Sequence, residues 1–372
     1  MPEHDVVIVG AGPVGLLLAC LLLEEGLRVA VCERRAEADD RTRAIGIHRP
    51  GLDALDAAGV GVAVRAEALR LHGGEVRSRR RTLATLTFAP DREVLILPQP
   101  RTDALLRARL QALSAAALVT GCTVTAVRES ADEVRVATDT PDGLSELTCS
   151  VVVVADGVRS RLRGDLGIGW RRRAGHASYV MLDVAEAMPG DRAVLHCEPE
   201  GLVESFPLPG GRRRWVVREG AEDLRTAAGL RAAVAQRTGI ELEVDEGAQP
   251  ASFVAAQHRA TRVHRGRVVL VGDAAHEVSP IGGQGMNLGW VDAVRLAAEL
   301  ARALPARAPD LSGFDRQVRR SAARAQRRSA FYMSMGAPAA APVVRGRELL
   351  MRTLGAAPLR GWTAGLLTMR GL

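Results

Sequence analysis

Three features of this 372-residue sequence predict an α/β chain in which a parallel-sheet domain is interleaved with an antiparallel sheet and followed by C-terminal helices. A buried strand at residues 6–9, a helix at 13–25 ending at Gly26 and a second strand at 28–33 make an opening β-α-β unit. Residues 178–218 alternate in short strands broken by Pro189-Gly190, Pro199 and Pro209-Gly210-Gly211, the pattern of an antiparallel sheet. Residues 267–271 return to a buried strand, followed by a glycine-rich loop and a helix at 285–304.

The remaining elements follow in order. A polar loop at 36–43 precedes a short helix after Pro50, and residues 69–97 are strand-like. A long helix is expected at 103–117, strands at 123–128, 133–138 and 150–155, and a helix at 222–236. Residues 316–332 read as a basic helix, and the tail from Met333 carries apolar stripes such as Leu349, Leu350 and Leu354. The length suits two interleaved domains. We expect one domain from residues 1–70, 98–175 and 250–330, a sheet domain from 71–97 and 176–249, and a helical tail at 331–372.

Residues 6–23 are apolar enough to suggest a membrane span or a signal peptide. Glu3 and Asp5 stand where a signal peptide carries positive charge, and Gly10, Gly12, Pro13 and Gly15 interrupt the run. Strand, turn and helix therefore fit better, with no targeting segment and no transmembrane helix expected. Cys20, Cys32, Cys122, Cys149 and Cys197 are odd in number and form no C-x-x-C pair. Reduced thiols in a cytoplasmic protein are expected, without a disulfide framework or a metal site.

All 50 basic residues are Arg, and the net charge is +7. Without lysine, Schiff-base chemistry and a P-loop lysine are excluded. Arg clusters at 79–81, 171–173, 212–214 and 319–328 lie in separate segments among acidic residues. Five Phe, two Tyr and four Trp offer little base stacking, and no nucleic-acid motif accompanies the clusters. Solvated faces are expected there, with no nucleic-acid partner.

Two segments carry chemistry. Gly10-Ala11-Gly12-Pro13-Val14-Gly15 is G-x-G-x-x-G between strand and helix. Gly10 permits the turn, Gly12 lets backbone approach a pyrophosphate, and Gly15 lets the helix pack on the strand. Pro13 suits the first helical turn, whose free amides face an anion. Glu33 ends the second strand, where a carboxylate receives ribose hydroxyls. This points to an ADP-containing dinucleotide. The second segment runs from Gly272-Asp273 to Pro280-Ile281-Gly282-Gly283-Gln284-Gly285-Met286-Asn287. An aspartate at a strand end accepts a hydroxyl from a sugar-like chain. The glycines let backbone lie against a flat ring, and the following helix points its N-terminus at that ring.

With these residues in place, the sequence resembles the FAD-dependent aromatic hydroxylases of the p-hydroxybenzoate hydroxylase type (class A flavoprotein monooxygenases). The glycine motif with Glu33, the Asp-Gly segment at residues 155–163 and the Gly-Asp segment at 272–287 match that family's three signatures in order and spacing. The resemblance covers residues 4–330 and implies a Rossmann-like FAD-binding domain of the glutathione-reductase type. It implies that Glu33 and Arg34 lie by the ribose, and Arg43 and Gln99 along the diphosphate and ribityl. Asp156 is linked to both FAD and NAD(P)H. Gly272 and Asp273 meet the ribityl, Pro280 the flavin edge, and Gly283, Gly285, Met286 and Asn287 the pyrimidine ring. The chain is shorter than hydroxylases with a thioredoxin-like C-terminal domain, so no such appendage is expected.

The implied reaction is hydroxylation of an aromatic or polyketide-like molecule in secondary metabolism, such as antibiotic biosynthesis. NAD(P)H reduces FAD, and O2 adds at C4a to give the hydroperoxyflavin that transfers oxygen. Epoxidation and Baeyer–Villiger insertion share the scaffold. Met181, Phe206 and Trp215 are candidate substrate residues, and His48, His176, His196 and His258 are candidate bases. The Arg212 to Arg214 cluster is a candidate docking surface for a carrier protein. The rival readings are a reductase of the geranylgeranyl-reductase type and a non-catalytic flavin-binding accessory protein. Halogenation is excluded, since the catalytic lysine and the W-x-W-x-I-P segment of halogenases are both missing.

Overall fold

A computed structural model describes residues 2–38, 44–186, 190–245, 247–304, 310–369 and 371. Its helices are α1 (Pro13–Glu24), α2 (Arg49–Ala57), α3 (Gly61–Glu67), α4 (Gln99–Leu113), α5 (Arg161–Asp165), α6 (Ala227–Thr238), α7 (Gly285–Ala303), α8 (Ser312–Met335), α9 (Ala341–Gly355) and α10 (Arg360–Leu367).

The largest core lies around a sheet whose central strands are parallel. Its order is Val268–Leu270, Gly143–Val154, His4–Val9, Val29–Glu33 and Leu118–Thr120. Strands Thr123–Glu129 and Val134–Thr140 fold back antiparallel on Gly143–Val154. Val, Ile and Leu fill the parallel strands because both sheet faces are covered. The apolar run at 6–23 is thereby explained. His4–Val9 sits in the sheet centre, and α1 is buried along its length between the sheet, α4 and α7. No helix among the described residues is long and apolar enough to cross a membrane.

A second sheet has seven strands, in the order Ala251–Ala255, Ala177–Ala185, Arg212–Arg218, Gly201–Leu208, Arg192–Glu198, Gly73–Ser78 and Arg81–Thr87. All neighbours are antiparallel except Arg192–Glu198 with Gly73–Ser78. One face is capped by α6, whose Leu230, Ala233 and Val234 pack on Val180, Leu182, Val203, Trp215 and Val217. The other face packs on Ile281 and on Met333 of α8. The boundary expected at 249/250 shifts, because Ala251–Ala255 pairs with Ala177–Ala185 and belongs to this sheet. As an edge strand with Val254 exposed, it lacks the apolar run that would mark it in sequence.

Two helices begin elsewhere than periodicity suggests. Helix α4 starts at Gln99 rather than 103, because Pro100 occupies its first turn, where a missing N–H costs nothing. Helix α6 starts at Ala227 rather than 222, because the Thr226 hydroxyl accepts from Gly229 N at 3.1 Å and caps it there. Helix α8 runs on into the tail, which forms α9 and α10, and Gly355 at the end of α9 lies against Ala84 of the second sheet.

Close backbone approach joins the two signature segments. A Cβ on Gly15 would stand 2.1 Å from the Gly10 carbonyl, and Gly10 itself has φ +106° with Ala155 O in the way of any side chain. On α7, a Cβ on Gly289 would lie 2.6 Å from Val14 Cγ2 and 3.3 Å from Gly272 Cα. Gly289→Leu is therefore expected to destabilise the fold by about 1–3 kcal/mol or more through overpacking. Gly346→Ala, on the exposed face of α9 with open space around it, is expected to stabilise by about 0.5–1 kcal/mol. Urea unfolding monitored by far-UV circular dichroism checks both.

Candidate active site

The parallel strands end at one edge, and Gly10, Gly12, Glu33, Asp156 and Gly272 lie at or just past those strand ends. Gly12 caps α1 with no side chain and with open space where a Cβ would stand. The buried Glu33 carboxylate accepts from Ala11 N at 2.8 Å, from Arg35 N at 3.1 Å and from Arg35 Nε at 3.0 Å. Burial alone would raise its pKa, but the two backbone donors and the Arg35 guanidinium outweigh it and hold the group below its ordinary value. Three donors leave about one of its four lone-pair positions for a ligand hydroxyl. Beside it opens a cavity of about 180 Å³ lined by Ala11, Arg35, Ala38, Pro100, Asp103 and Arg107, among others.

Arg107 is a residue that the sequence reading missed. Its Nη2 donates to Ala11 O at 3.2 Å, over the helix N-terminus. The available signal was its i,i+4 spacing from Asp103 on one face of α4. Gln99 opens α4, its backbone N–H donating to Ala44 O at 3.0 Å. Arg34 is exposed, and Arg43 lies outside the described residues.

The Asp-Gly segment lies next to the Gly-Asp segment. Arg163 donates to Ala274 O at 3.0 Å and to Val158 O at 2.9 Å, with its guanidinium 3.7 Å above the Trp170 ring. Asp156 has a buried Oδ1 without a hydrogen-bond partner, and burial raises its pKa. Gly272 begins a short 3-10 turn, and the Asp273 side chain is exposed at the sheet edge, as is Pro280 further on.

Residues 280–285 form a loop pinned from three sides. Gly283 N donates to Pro280 O at 2.8 Å, and Ser329 Oγ of α8 donates to Ile281 O at 3.0 Å. Asn287 Oδ1 accepts from His48 N at 2.9 Å, while its Nδ2 donates to Gly46 O and Gly283 O, both at 2.9 Å. Gly285 starts α7 behind the loop, Met286 packs against the main core, and Gln284 is fully buried with both amide atoms unpartnered. Ser329 carried no sequence signal, because it acts through tertiary position, while Gln284 stood inside the Gly-Asp segment without being singled out.

Of the four candidate bases, the structure brings one to this loop. His48 is buried against Gly282 and Gly283, and burial pushes its imidazole down to about 4. His176 is exposed, and His258 is paired with Glu277 at 2.5 Å and stacked on Trp170. His196 stacks on Trp215, on the α6 side of the second sheet.

The substrate candidates divide by face. Met181 packs in one cluster with Ile281 of the loop, and Phe206 lies on the same sheet face, since its partner Arg214 pairs with Asp183 two residues along from Met181. Trp215 is a correction: strand alternation points it to the opposite face, into the core under α6. The Arg212 to Arg214 docking surface is also corrected. Arg213 and Arg214 are buried and engaged with Glu186 and Asp183, each at 2.7 Å.

His48 gives a pH test. Unfolded, it titrates near 6.5, and in the fold at about 4, so the unfolded chain binds more protons between these values. Stability therefore falls as pH drops from about 6.5 to about 4. His48→Gln is expected to lose less stability than the wild type between pH 7 and pH 5, as read from urea midpoints.

Comparison with known proteins places this architecture. Residues 3–329 match the FAD binding domain family. The 12-dehydrotetracycline 5-monooxygenase/anhydrotetracycline 6-monooxygenase of Streptomyces rimosus is 35% identical over 324 residues, which are 82% of this chain and 64% of that protein's length. The solved anhydrotetracycline hydroxylase of Streptomyces rimosus aligns with a TM-score of 0.80 at 31% identity, over 99% of this chain and 76% of that one. Aklavinone-11 hydroxylase, solved with FAD and aklavinone, aligns with a TM-score of 0.77 at 26% identity, over 92% of this chain and 71% of that one. With the family match running over most of its length, the chain belongs to the FAD binding domain family, and FAD is its cofactor.

Proposed function

We propose that this chain is an FAD-dependent, NAD(P)H-consuming monooxygenase that hydroxylates an aromatic, polyketide-like small molecule in secondary metabolism. The observation that carries this reading is the enclosure of the 280–285 loop. Ile281 of that loop packs in one buried apolar cluster with Tyr179, Leu202 and Val216 of the seven-stranded sheet. A flat, electron-rich ring fits between such a sheet and the flavin end of the site.

The residues present fit the cofactor. The space at Gly12, the unused lone pair of Glu33, the unpartnered Asp156 Oδ1 and the unpartnered Gln284 amide are all polar or open groups at the sheet edge that a ligand would satisfy. Glu33 would hold the ribose, the N-terminus of α1 the diphosphate, and Asp273 with Gln99 the ribityl chain. The N-terminus of α7 would meet the pyrimidine ring, with Pro280 at the flavin edge. Bound FAD supplies the redox chemistry, taking two electrons from NAD(P)H and activating O2 so that one oxygen atom enters the ring and the other leaves as water.

The chain's own part is positioning and exclusion of water. Asn287 holds loop and helix in register, so the amides at the start of α7 stay aimed at one place. Neutral His48 lines the loop without adding charge. The apolar sheet face keeps water from the reacting atoms, which suppresses wasteful release of hydrogen peroxide. The relatives named above are oxygenases, which favours this reading over the reductase and accessory readings. A cytoplasmic location accords with the five unpaired cysteines, four of them in the core.

FAD-loaded protein, given NADPH, a panel of phenols and ¹⁸O2, is expected to yield a product with one ¹⁸O per turnover by mass spectrometry. NADPH oxidation that returns all oxygen as hydrogen peroxide with every phenol would overturn the reading. Glu33→Ala removes an acceptor from Ala11 N and the ribose contact. FAD affinity is expected to fall about 10- to 100-fold, measured by flavin fluorescence on reconstituting the apoprotein.

A further inference from the structure

One row of side chains crosses the loop-facing side of the seven-stranded sheet. Val76, Leu195, Glu204, Val216 and Met181 are neighbours in the strand register. Glu204 is the one ionisable member of this otherwise apolar row. Its residue is 4% exposed, and its carboxyl has no hydrogen bond or ion pair among the described residues. Burial pushes its pKa up to about 7.

The position of Glu204 relative to the loop is set by its strand. Two residues before it, Leu202 belongs to the apolar cluster containing Ile281 of the loop. Two residues after it, Phe206 packs on the cluster of Ile45, Ile96, Ala193 and Leu208, beside the strand that carries His48. Residues i and i±2 share a face, so Glu204 stands between the two clusters on the side of the sheet that meets Ile281.

The charged and titratable groups around it are otherwise occupied or neutral. Arg214 is held by Asp183 through two hydrogen bonds at 2.7 and 2.8 Å. Arg218 Nη1 donates to Met333 O at 2.9 Å. The Tyr179 hydroxyl, the Cys197 thiol and the Tyr332 hydroxyl of α8 are all kept protonated by burial. None of these neutralises Glu204. A lone carboxyl buried on an apolar face has lost water without gaining a partner, and a donor brought by a ligand would supply one.

We propose that Glu204 recognises the substrate, accepting a hydrogen bond from a ring hydroxyl and so orienting the ring across Met181, Val216 and Phe206. The assignment rests on the monooxygenase reading above and names the chemistry its substrate must carry: a phenolic hydroxyl, placed on the side of the ring away from the flavin loop. A hydrogen bond to a carboxylate also draws the O–H dipole outward and raises electron density on the ring, which favours oxygen transfer.

The test is isothermal titration calorimetry of the FAD-loaded protein with 1-naphthol and with 1-methoxynaphthalene, in the wild type, Glu204→Gln and Glu204→Leu. The wild type is expected to bind the naphthol about 10-fold or more tightly than its methyl ether, a charge-assisted hydrogen bond being the difference. Glu204→Leu should fall to within about 2-fold between the two ligands, and Glu204→Gln should lie between. Leucine completes the apolar row, so this variant is expected to retain its FAD and to melt at or above the wild-type temperature. A purely structural role would move melting temperature and leave the ligand ratio alone.

Equal binding of both ligands by the wild type, or an undiminished preference in Glu204→Leu, would overturn the assignment and leave the oxygenase reading intact. A preference lost in Glu204→Leu alongside a negative ¹⁸O result would support the hydroxyl site and sink the oxygenase reading.

Discussion

The loop at residues 280–285 and the start of α7 depend on one buried carboxamide. Asn287 is the chain's single asparagine, it is fully buried, and its three hydrogen bonds tie the first turn of α7 to the adjoining loop at Gly283 and to the distant strand at Gly46–His48. A side chain that both donates and accepts is needed, because the loop and strand offer two carbonyls and one N–H. Aspartate would meet those two carbonyls with acceptors only, and the buried mismatch would be costly. Asn287 therefore links the loop, the start of α7 and the strand that carries His48, while Ser329 of α8 holds the loop from another side.

The second sheet is held by a different means. Three buried guanidinium forks in and beside it are matched to carboxylates: Arg213 to Glu186, Arg214 to Asp183, and Arg237 of α6 to Glu222, each at 2.7 Å. The Arg237 side chain is wholly inaccessible and also donates to Arg218 O at 2.9 Å. The planar fork satisfies several acceptors at once, which a point-charge ammonium cannot do at the same geometry. A composition with arginine in every basic position thus has structural consequences. Groups that look like a solvated basic patch in sequence are partly internal, and the net charge of +7 does not appear as one field on the sheet domain.

The signature segments around the parallel sheet are tied to one another by close backbone approach and by a few side chains. Close approach at Gly10, Gly15 and Gly289 brings the first signature, the Asp-Gly segment and α7 together, and the Trp290 indole donates to Pro13 O at 3.1 Å across that contact. Arg163 performs the same task for the Asp-Gly and Gly-Asp segments through two carbonyls and a Trp170 ring. These chain crossings coincide near the edge where the parallel strands end.

The sequence by itself determined the opening β-α-β unit, the glycine turn, Glu33 at the strand end and the Gly-Asp loop before α7. These are local: chain geometry confines a glycine turn between strand and helix to few conformations, and the residues lie within a few positions of one another. Tertiary structure alone decided which histidine reaches the loop, that Arg213 and Arg214 are internal, that Trp215 points away from the loop while Met181 points toward it, and that Glu204 stands unpaired between two apolar clusters. Each of these depends on strand register and on which sheet face is covered. A period-two pattern separates two faces without saying which partner covers either one, so the covering elements, α6 on one side and the loop with α8 on the other, assign the roles.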